Sequence, residues 1–306
     1  MDKLERLLKA IDAIVKDEGD ELKEELSEFP ALAATLEAID DYETKVAALL
    51  RAQKRHFVNG LKTLIAKDEA ADGDTLTALF LKLVQSDDFA VKMLEYTSTF
   101  LSMTIEELVG VIMESIDKDV PFEILSQRTV DWIAEWSQDL GEMMQLTTHT
   151  QLEAALASVI ENGEGIDKAI ARIKDLPEFD RPRARTTSIT EILRANSVAA
   201  HEAYVQSPAV KEKMWRHSGS KKNNPRPAHV DLNGVTVALD EHFDVNGEKG
   251  LYPRDHKLSA KEVVNCHCVL SPVVDSKILG LSKEEKLKLR DQAIDEYNDK
   301  WVQEKK

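Results

Sequence analysis

From Ala31 to Val120 the chain contains no proline, and apolar residues recur through the whole stretch with charges interleaved. Proline is the residue a helix interior tolerates least, so this segment is free to form long helices. Its apolar residues return every three or four positions, which selects one buried face per helix. The texture begins earlier, with Leu4, Leu7, Leu8, Ile11, Ile14 and Val15 forming one stripe before Pro30 punctuates. Asp72-Gly73-Asp74 is the expected turn inside the stretch. Thr104 and Glu107 have the spacing of a capping box, which predicts a helix opening there with Ile105, Leu108, Val109, Ile112, Met113 and Ile116 inward. Pro121 breaks it. Trp132, Trp136 and Leu140 then mark another helix, read as packing residues rather than a ligand site, and Leu152, Ala155, Leu156, Val159 and Ile160 continue the pattern to Asn162-Gly163. A shorter helix carries Ile166, Ile170 and Ile173 before Pro177.

Residues 177–183 form an expected hinge, and a helix follows at about 185–205. After Pro208 helical spacing disappears, and five of the nine prolines and five of the twelve glycines fall between 208 and 280. Val230 and Leu232, then Asn233-Gly234, then Val235, Val237 and Leu239 alternate with period two around a pair that tolerates positive φ, which predicts a β-hairpin. Asn246-Gly247 marks a second turn, and Val263 to Val269 is a further strand candidate. Ser282 and Glu285 cap a last helix with Leu287, Ile294, Tyr297 and Trp301 on one stripe, which either docks on a partner or folds back on its own body. The expected class is α+β, predominantly α-helical. Residues 1–180 form an acidic helical domain, 181–275 a small irregular β-containing module, and 276–306 a C-terminal helix.

The net charge of −16 conceals a division. Residues 1–180 hold 18 Lys and Arg against 38 Asp and Glu, whereas residues 181–229 hold 10 against 3. An acidic body does not coat nucleic acid with its whole surface, which argues against a DNA-binding regulator, although a basic strip can still meet phosphate locally. That strip is Arg216, Lys221, Lys222 and Arg226, with Trp215 as a core anchor; its bland reading is a solvated loop. No run approaches the length of an apolar membrane span, and the N-terminus carries no apolar leader, so the expectation is no membrane and synthesis in a cytoplasm.

Six of the eight histidines and both cysteines fall between 201 and 268. Cys266 and Cys268 are too close in sequence for ordinary disulfide geometry with each other. Small modules with few strands bury little apolar surface, and a structural metal can replace the missing core. His229, Cys266 and Cys268 are the preferred ligands of a structural zinc ion, with His217 the fourth candidate. The competing reading places two small thiols in the core and the histidines on the surface. Glu191 either pairs with Arg194 three residues on or acts as a general base. The chain has no Gly-rich phosphate loop, no Gly-x-Ser-x-Gly elbow and no His-Glu-x-x-His helix.

An ordered set of short pieces resembles the C-terminal domain of Mu F-like phage head-morphogenesis proteins, across about 184–274. The set runs Thr190-Glu191 and Asn196, Trp215 with His217-Ser218-Gly219, Arg226-Pro227-Ala228-His229, Leu232-Asn233-Gly234, Phe243, Tyr252-Pro253 with Asp255, and Asn265-Cys266-His267-Cys268. The family usually has Arg where this chain has His267, which argues against His267 as a family-wide ligand. The resemblance implies a minor head protein of the virion, not an enzyme. Such a protein associates with the portal and the procapsid interior, touches genomic DNA at most locally, and influences DNA packaging or ejection. The reading from another class is a metal-dependent hydrolase or nuclease using the His/Cys cluster with Glu191 as base. Such domains also resemble carriers in toxin polypeptides, where activity lies in an added domain.

Overall fold

The computed structural model describes residues 20–66, 73–218 and 225–304. The N-terminal stripe from Leu4 to Val15, Asp72, Lys221 and Lys222 lie outside the described residues. Helix α1 is described over residues 20–25. It is followed by α2 (Leu32–Ala66), α3 (Gly73–Gln85), α4 (Phe89–Ile116), α5 (Gln127–Glu161), α6 (Ile166–Lys174), a 3-10 turn (Pro177–Phe179) and α7 (Arg181–Gln206). Then come β1 (Val210–Arg216), α8 (Pro227–Asp231), β2 (Thr236–Ala238), β3 (Phe243–Val245), β4 (Glu248–Gly250), α9 (Ala260–Val263), β5 (Val269–Val274), α10 (Ser276–Leu279) and α11 (Lys283–Glu304). The chain is predominantly helical, with small antiparallel sheets, as its periodicity predicts. Among the described residues no helix is long and apolar enough to cross a membrane.

Two compact units result, and they partition the chain differently from its composition. Of the described residues, one comprises those within 39–103 and 130–189; the other comprises those within 20–38, 104–129 and 190–304. The first is all helix. Phe57, Leu61, Phe80, Leu83, Leu152, Leu156, Ile170 and Phe179 form its buried cluster. Pro177 does not open a loose hinge. It starts a 3-10 turn that buries Phe179, and Arg183 donates to the carbonyls of Glu178 and Met144, at 2.9 Å each. Within this unit α4 and α5 approach so closely at Gly141 that a Cβ there would lie 2.8 Å from the Ala90 carbonyl oxygen.

The second unit holds all the strands. β1 is the centre of a three-stranded antiparallel sheet in the order β2-β1-β5, and β3 pairs with β4 as a hairpin. Asn246 (φ 56°) and Gly247 (φ 85°) make the turn of that hairpin, as their sequence predicts. The pair Asn233-Gly234 does something else. Pro227 at the first position of α8 starts a short helix, so Val230 is helical rather than extended. Gly234 (φ 84°) then ends that helix, its N–H donating to the Trp215 carbonyl at 2.8 Å, and β2 pairs with β1 instead. Alternation over so few residues did not outweigh a helix start fixed by proline. Two further expectations change for the same kind of reason. Thr104 lies inside the continuous helix α4 rather than at a cap, and residues 260–263 are helical, the strand beginning only at Val269.

Helix α7 runs through this unit with almost every side chain from Ile192 to Gln206 buried, polar ones included. A helix of that kind is stable only where each polar group finds a partner. Glu202 accepts from Ser126, from Thr129 at 2.6 Å and from Gln206. Tyr204 donates to the Leu270 carbonyl at 2.8 Å, and His201 Nε2 to that of Leu239 at 3.0 Å. Lys213, buried on β1, donates to the same Leu239 oxygen at 2.6 Å. The terminal stripe folds back. Lys286 sits 2.9 Å from both Asp117 and Asp119, Arg290 pairs with Glu123 at 2.8 Å, and the Arg128 guanidinium stacks over Tyr297 and Trp301.

Two outcomes follow for urea and pH titrations. Gly141→Ala is expected to destabilise by about 1–3 kcal/mol through overpacking. Gly110→Ala, where a Cβ meets nothing within 4 Å, is expected to stabilise by about 0.5–1 kcal/mol. Burial, with Lys213 adding to it, pushes His201 down to about 3 from its ordinary 6.5. The unfolded chain therefore binds a proton that the folded chain does not between those values. Stability is complete above pH 6.5 and falls as pH drops toward 3, by at most about 1.4 kcal/mol per pH unit. His201→Gln keeps a donor without titrating and should flatten that slope by one proton; equal slopes would remove His201 as the cause.

Candidate metal centre

Four local structures converge on one point of the strand-bearing unit. Arg226 sits at the N-cap of α8 in extended conformation, so His229 falls on the helix's first turn and faces inward. Asn265 (φ 54°) ends the turn after α9 and starts an extended segment leading into β5. Residues two apart on extended chain point to the same side. Cys266 and Cys268 therefore face His229 together, while His267 points away and its Nδ1 lies 3.1 Å from Glu25. That alternation is why a Cys-x-Cys pair serves here and why His267 does not join it.

The three donors are each buried to 2% exposure, and their ligand atoms lie within 4.8 Å of one another. His229 Nδ1 is 3.5 Å from Cys266 Sγ and 3.6 Å from Cys268 Sγ. Tetrahedral zinc, with Zn–S about 2.3 Å and Zn–N about 2.0–2.1 Å, has an N···S edge of about 3.6 Å. The trio could hold a metal ion. His229 Nε2 lies 3.1 Å from Glu262 Oε2, so the ring proton sits on Nε2 and the Nδ1 lone pair faces the thiols. Asn246 holds the other Glu262 oxygen at 3.2 Å. The Trp215 indole packs edge-on against the imidazole, with centroids 5.5 Å apart.

Charge around the trio is arranged as geometry would require. The hydrogen bond between the two thiols holds Cys266 well below the usual thiol range and pushes Cys268 well above it, so the pair shares one proton. Arg254 stands behind them, fully buried. Its Nη1 donates to the carbonyls of Cys266 at 2.6 Å and Cys268 at 2.9 Å and lies 3.7 Å from Cys266 Sγ; its Nη2 donates to Ser197 Oγ at 2.6 Å. Two thiolates would balance a divalent ion, and Glu262 has the cations of Lys261 at 3.9 Å and Arg226 at 4.0 Å beside it.

His217 borders the centre. Burial lowers it, the Cys266 charge raises it and His229 lowers it, so it feels both ligands, but its ring stands outside the trio. Arg216 pairs with Glu28 at 3.0 Å, and Arg226 donates to the carbonyls of Lys261 and Val264, the latter at 2.6 Å. Both described residues of the basic strip therefore tie the unit internally. Glu191 is buried and bound to Arg194 at 3.0 Å, the pairing its spacing suggests, and Arg194 also donates to the Arg254 carbonyl. Sequence reasoning missed Arg254 and Glu262. Neither residue type is a soft ligand, and nothing in the local pattern says that Arg254, at a φ of 64° after Pro253, turns inward.

Residues 150–271 match the family described as Phage Mu protein F like protein, a span that contains the whole trio. The chain is 47% identical over 304 residues to the uncharacterized protein YqbB of Bacillus subtilis, covering 96% of this chain and 99% of that one. It is 30% identical over 141 residues to the minor head protein GP7 of Bacillus phage SPP1, covering 45% of this chain and 44% of that one. A third relative, the NAD(+)--arginine ADP-ribosyltransferase EFV of Enterococcus faecalis, is 30% identical over 138 residues, covering 43% of this chain and 27% of that one. No solved structure matches. The chain is thus a relative of YqbB over nearly its whole length and carries a Mu F-like phage head segment at residues 150–271.

Proposed function

We propose that this protein is a minor head component that joins the procapsid interior at the portal vertex and influences DNA packaging or ejection. Its strand-bearing unit is stapled by one structural zinc ion on His229, Cys266 and Cys268; His217, whose ring stands outside the trio, would have to swing in to close the fourth position. One observation carries the structural assignment. All three donors inside the family-matched segment are buried to 2% exposure, which suits an ion that holds chain segments rather than one that meets a substrate. Bound zinc would fix the thiolates and imidazole and add folding free energy of order 10 kcal/mol to a unit with few strands. The residues do the rest. Glu262 orients the imidazole, Arg254 holds the cysteine segment by its carbonyls, and Trp215 covers the ring. The protein is not an enzyme on this reading, because Glu191 is committed to Arg194 rather than presented to a water. The transferase relative is matched over about a quarter of its length, so its activity supplies no argument for this chain.

Purified protein never exposed to chelator should carry close to one zinc per chain by elemental analysis. Glu262→Gln should keep that stoichiometry while weakening affinity about 10–100-fold, as loss of a carboxylate behind a ligating histidine does. Metal-free protein in which Cys266→Ser and Cys268→Ser changes leave stability untouched would overturn the staple. The head assignment is tested by gentle dissociation of procapsids. The chain should co-purify with the portal protein, and recovery only with the mature capsid shell would place it elsewhere.

A further inference from the structure

One buried donor of the strand-bearing unit has no oxygen or nitrogen to meet. Trp215, on β1, has no exposure to water, and its indole Nε1 is buried without such a partner. An indole nitrogen only donates, and a donor left unpaired in a protein interior is costly. The group it faces is therefore worth establishing from the fold.

The sheet register fixes that group. β1 runs antiparallel to β5, with Trp215 opposite Leu270 and Arg216 opposite Val269. Residues directly opposite point to the same side of a sheet, and so do residues two apart on extended chain. Cys268 precedes Leu270 by two, so Trp215 and Cys268 are diagonal neighbours on one face, a separation that an aromatic side chain spans. The packing agrees. The indole meets the His229 ring edge-on, with centroids 5.5 Å apart and planes at 82°, and His229 Nδ1 is 3.6 Å from Cys268 Sγ. Phe243 packs against the indole at 5.3 Å and holds its plane. Cys268, itself 2% exposed, has Trp215 as a hydrogen-bond donor.

Each of the three ligands then has one buried group behind it. Glu262 stands 3.1 Å from His229 Nε2, and Arg254 Nη1 lies 3.7 Å from Cys266 Sγ. Trp215 is the corresponding donor for Cys268. A neutral thiol accepts weakly, whereas a thiolate carries charge and accepts an N–H well. Metal ligation requires the thiolate form, so an indole N–H with no other outlet suits the metal-bound cysteine pair better than two thiols.

We infer that Trp215 is a positioning residue of the metal centre, its Nε1–H donating to the Cys268 sulfur when that sulfur is a metal-bound thiolate. The inference rests on the metal reading above and adds to it a donor that orients one thiolate and draws charge from it. Loss of the N–H should therefore change the electronic state of the sulfur, which loss of packing alone does not do.

The test loads the full-length protein with cadmium of a magnetically active isotope and observes the four indole N–H protons by NMR. The Trp215 signal, identified by its absence in Trp215→Phe, should show scalar coupling to cadmium through the N–H···S–Cd path and lose it with a spin-free isotope. Trp215→Phe keeps an aromatic ring but has no N–H. In cobalt(II)-loaded full-length protein it should move the sulfur-to-cobalt charge-transfer band to lower energy, and zinc affinity measured by competition should fall about 10-fold or more, as loss of an outer partner does. Benzothienylalanine at position 215 replaces the N–H by sulfur with the ring shape kept, and should move the band in the same direction even if the phenylalanine variant does not fold. Bound cadmium without coupling to the Trp215 proton, or a cobalt band unmoved by the isosteric replacement, would overturn the inference and leave the metal centre standing. A full-length chain that takes up neither cadmium, cobalt nor zinc would remove the metal reading itself, and this inference with it.

Discussion

A guanidinium with no exposure to water is among the costliest groups to bury, and the strand-bearing unit is organised around one. Arg254 reaches two carbonyls of the cysteine segment and the hydroxyl of Ser197 on α7, lies over the Phe29 ring, and has its own carbonyl capped by Arg194. Its backbone accepts a left-handed conformation to do so. Remove that side chain and three segments lose their common fastening: the middle of α7, the turn after Tyr252, and the entry to β5. The ligand trio depends on the same fastening, because the direction of both thiols is set by the extended segment that Arg254 grips.

Electrostatics and packing therefore act together. The lobe buries Glu191, Arg194, His201, Glu202, Lys213 and Arg254, a polar load that few strands and a small apolar core do not carry easily. Arg194, His201, Glu202, Lys213 and Arg254 each reach a partner in a distant segment, and Arg194 holds Glu191, so the network specifies one arrangement of chain. A metal ion at His229, Cys266 and Cys268 would add a further cross-link between α8 and the segment entering β5. In the helical unit stability comes differently, from a contiguous cluster of aromatic and aliphatic side chains.

Much of this was legible in the residues. Proline spacing and apolar periodicity predict the helices from 32 to 174 closely, because a helix long enough to repeat its pattern several times reports its own period. The trio was legible too, since soft donors clustered in a small strand-poor module have few other uses. The hairpin at Asn233-Gly234 was not, because four or five alternating residues carry too little information against a proline that starts a helix at 227. The roles of Arg254 and Glu262 were invisible. They are ordinary surface residue types whose burial is decided by what folds over them.

The amino-acid sequence alone determined the helical body, its acidic charge, the change of texture after Pro208 and the clustering of its soft donors, since these depend only on local spacing and side-chain chemistry. Tertiary structure decided which thiol faces which nitrogen, which carboxylate stands behind the histidine, and how compact units cut across a compositional boundary. Those outcomes depend on contacts between segments tens to hundreds of residues apart, and no local pattern encodes the burial that such contacts create.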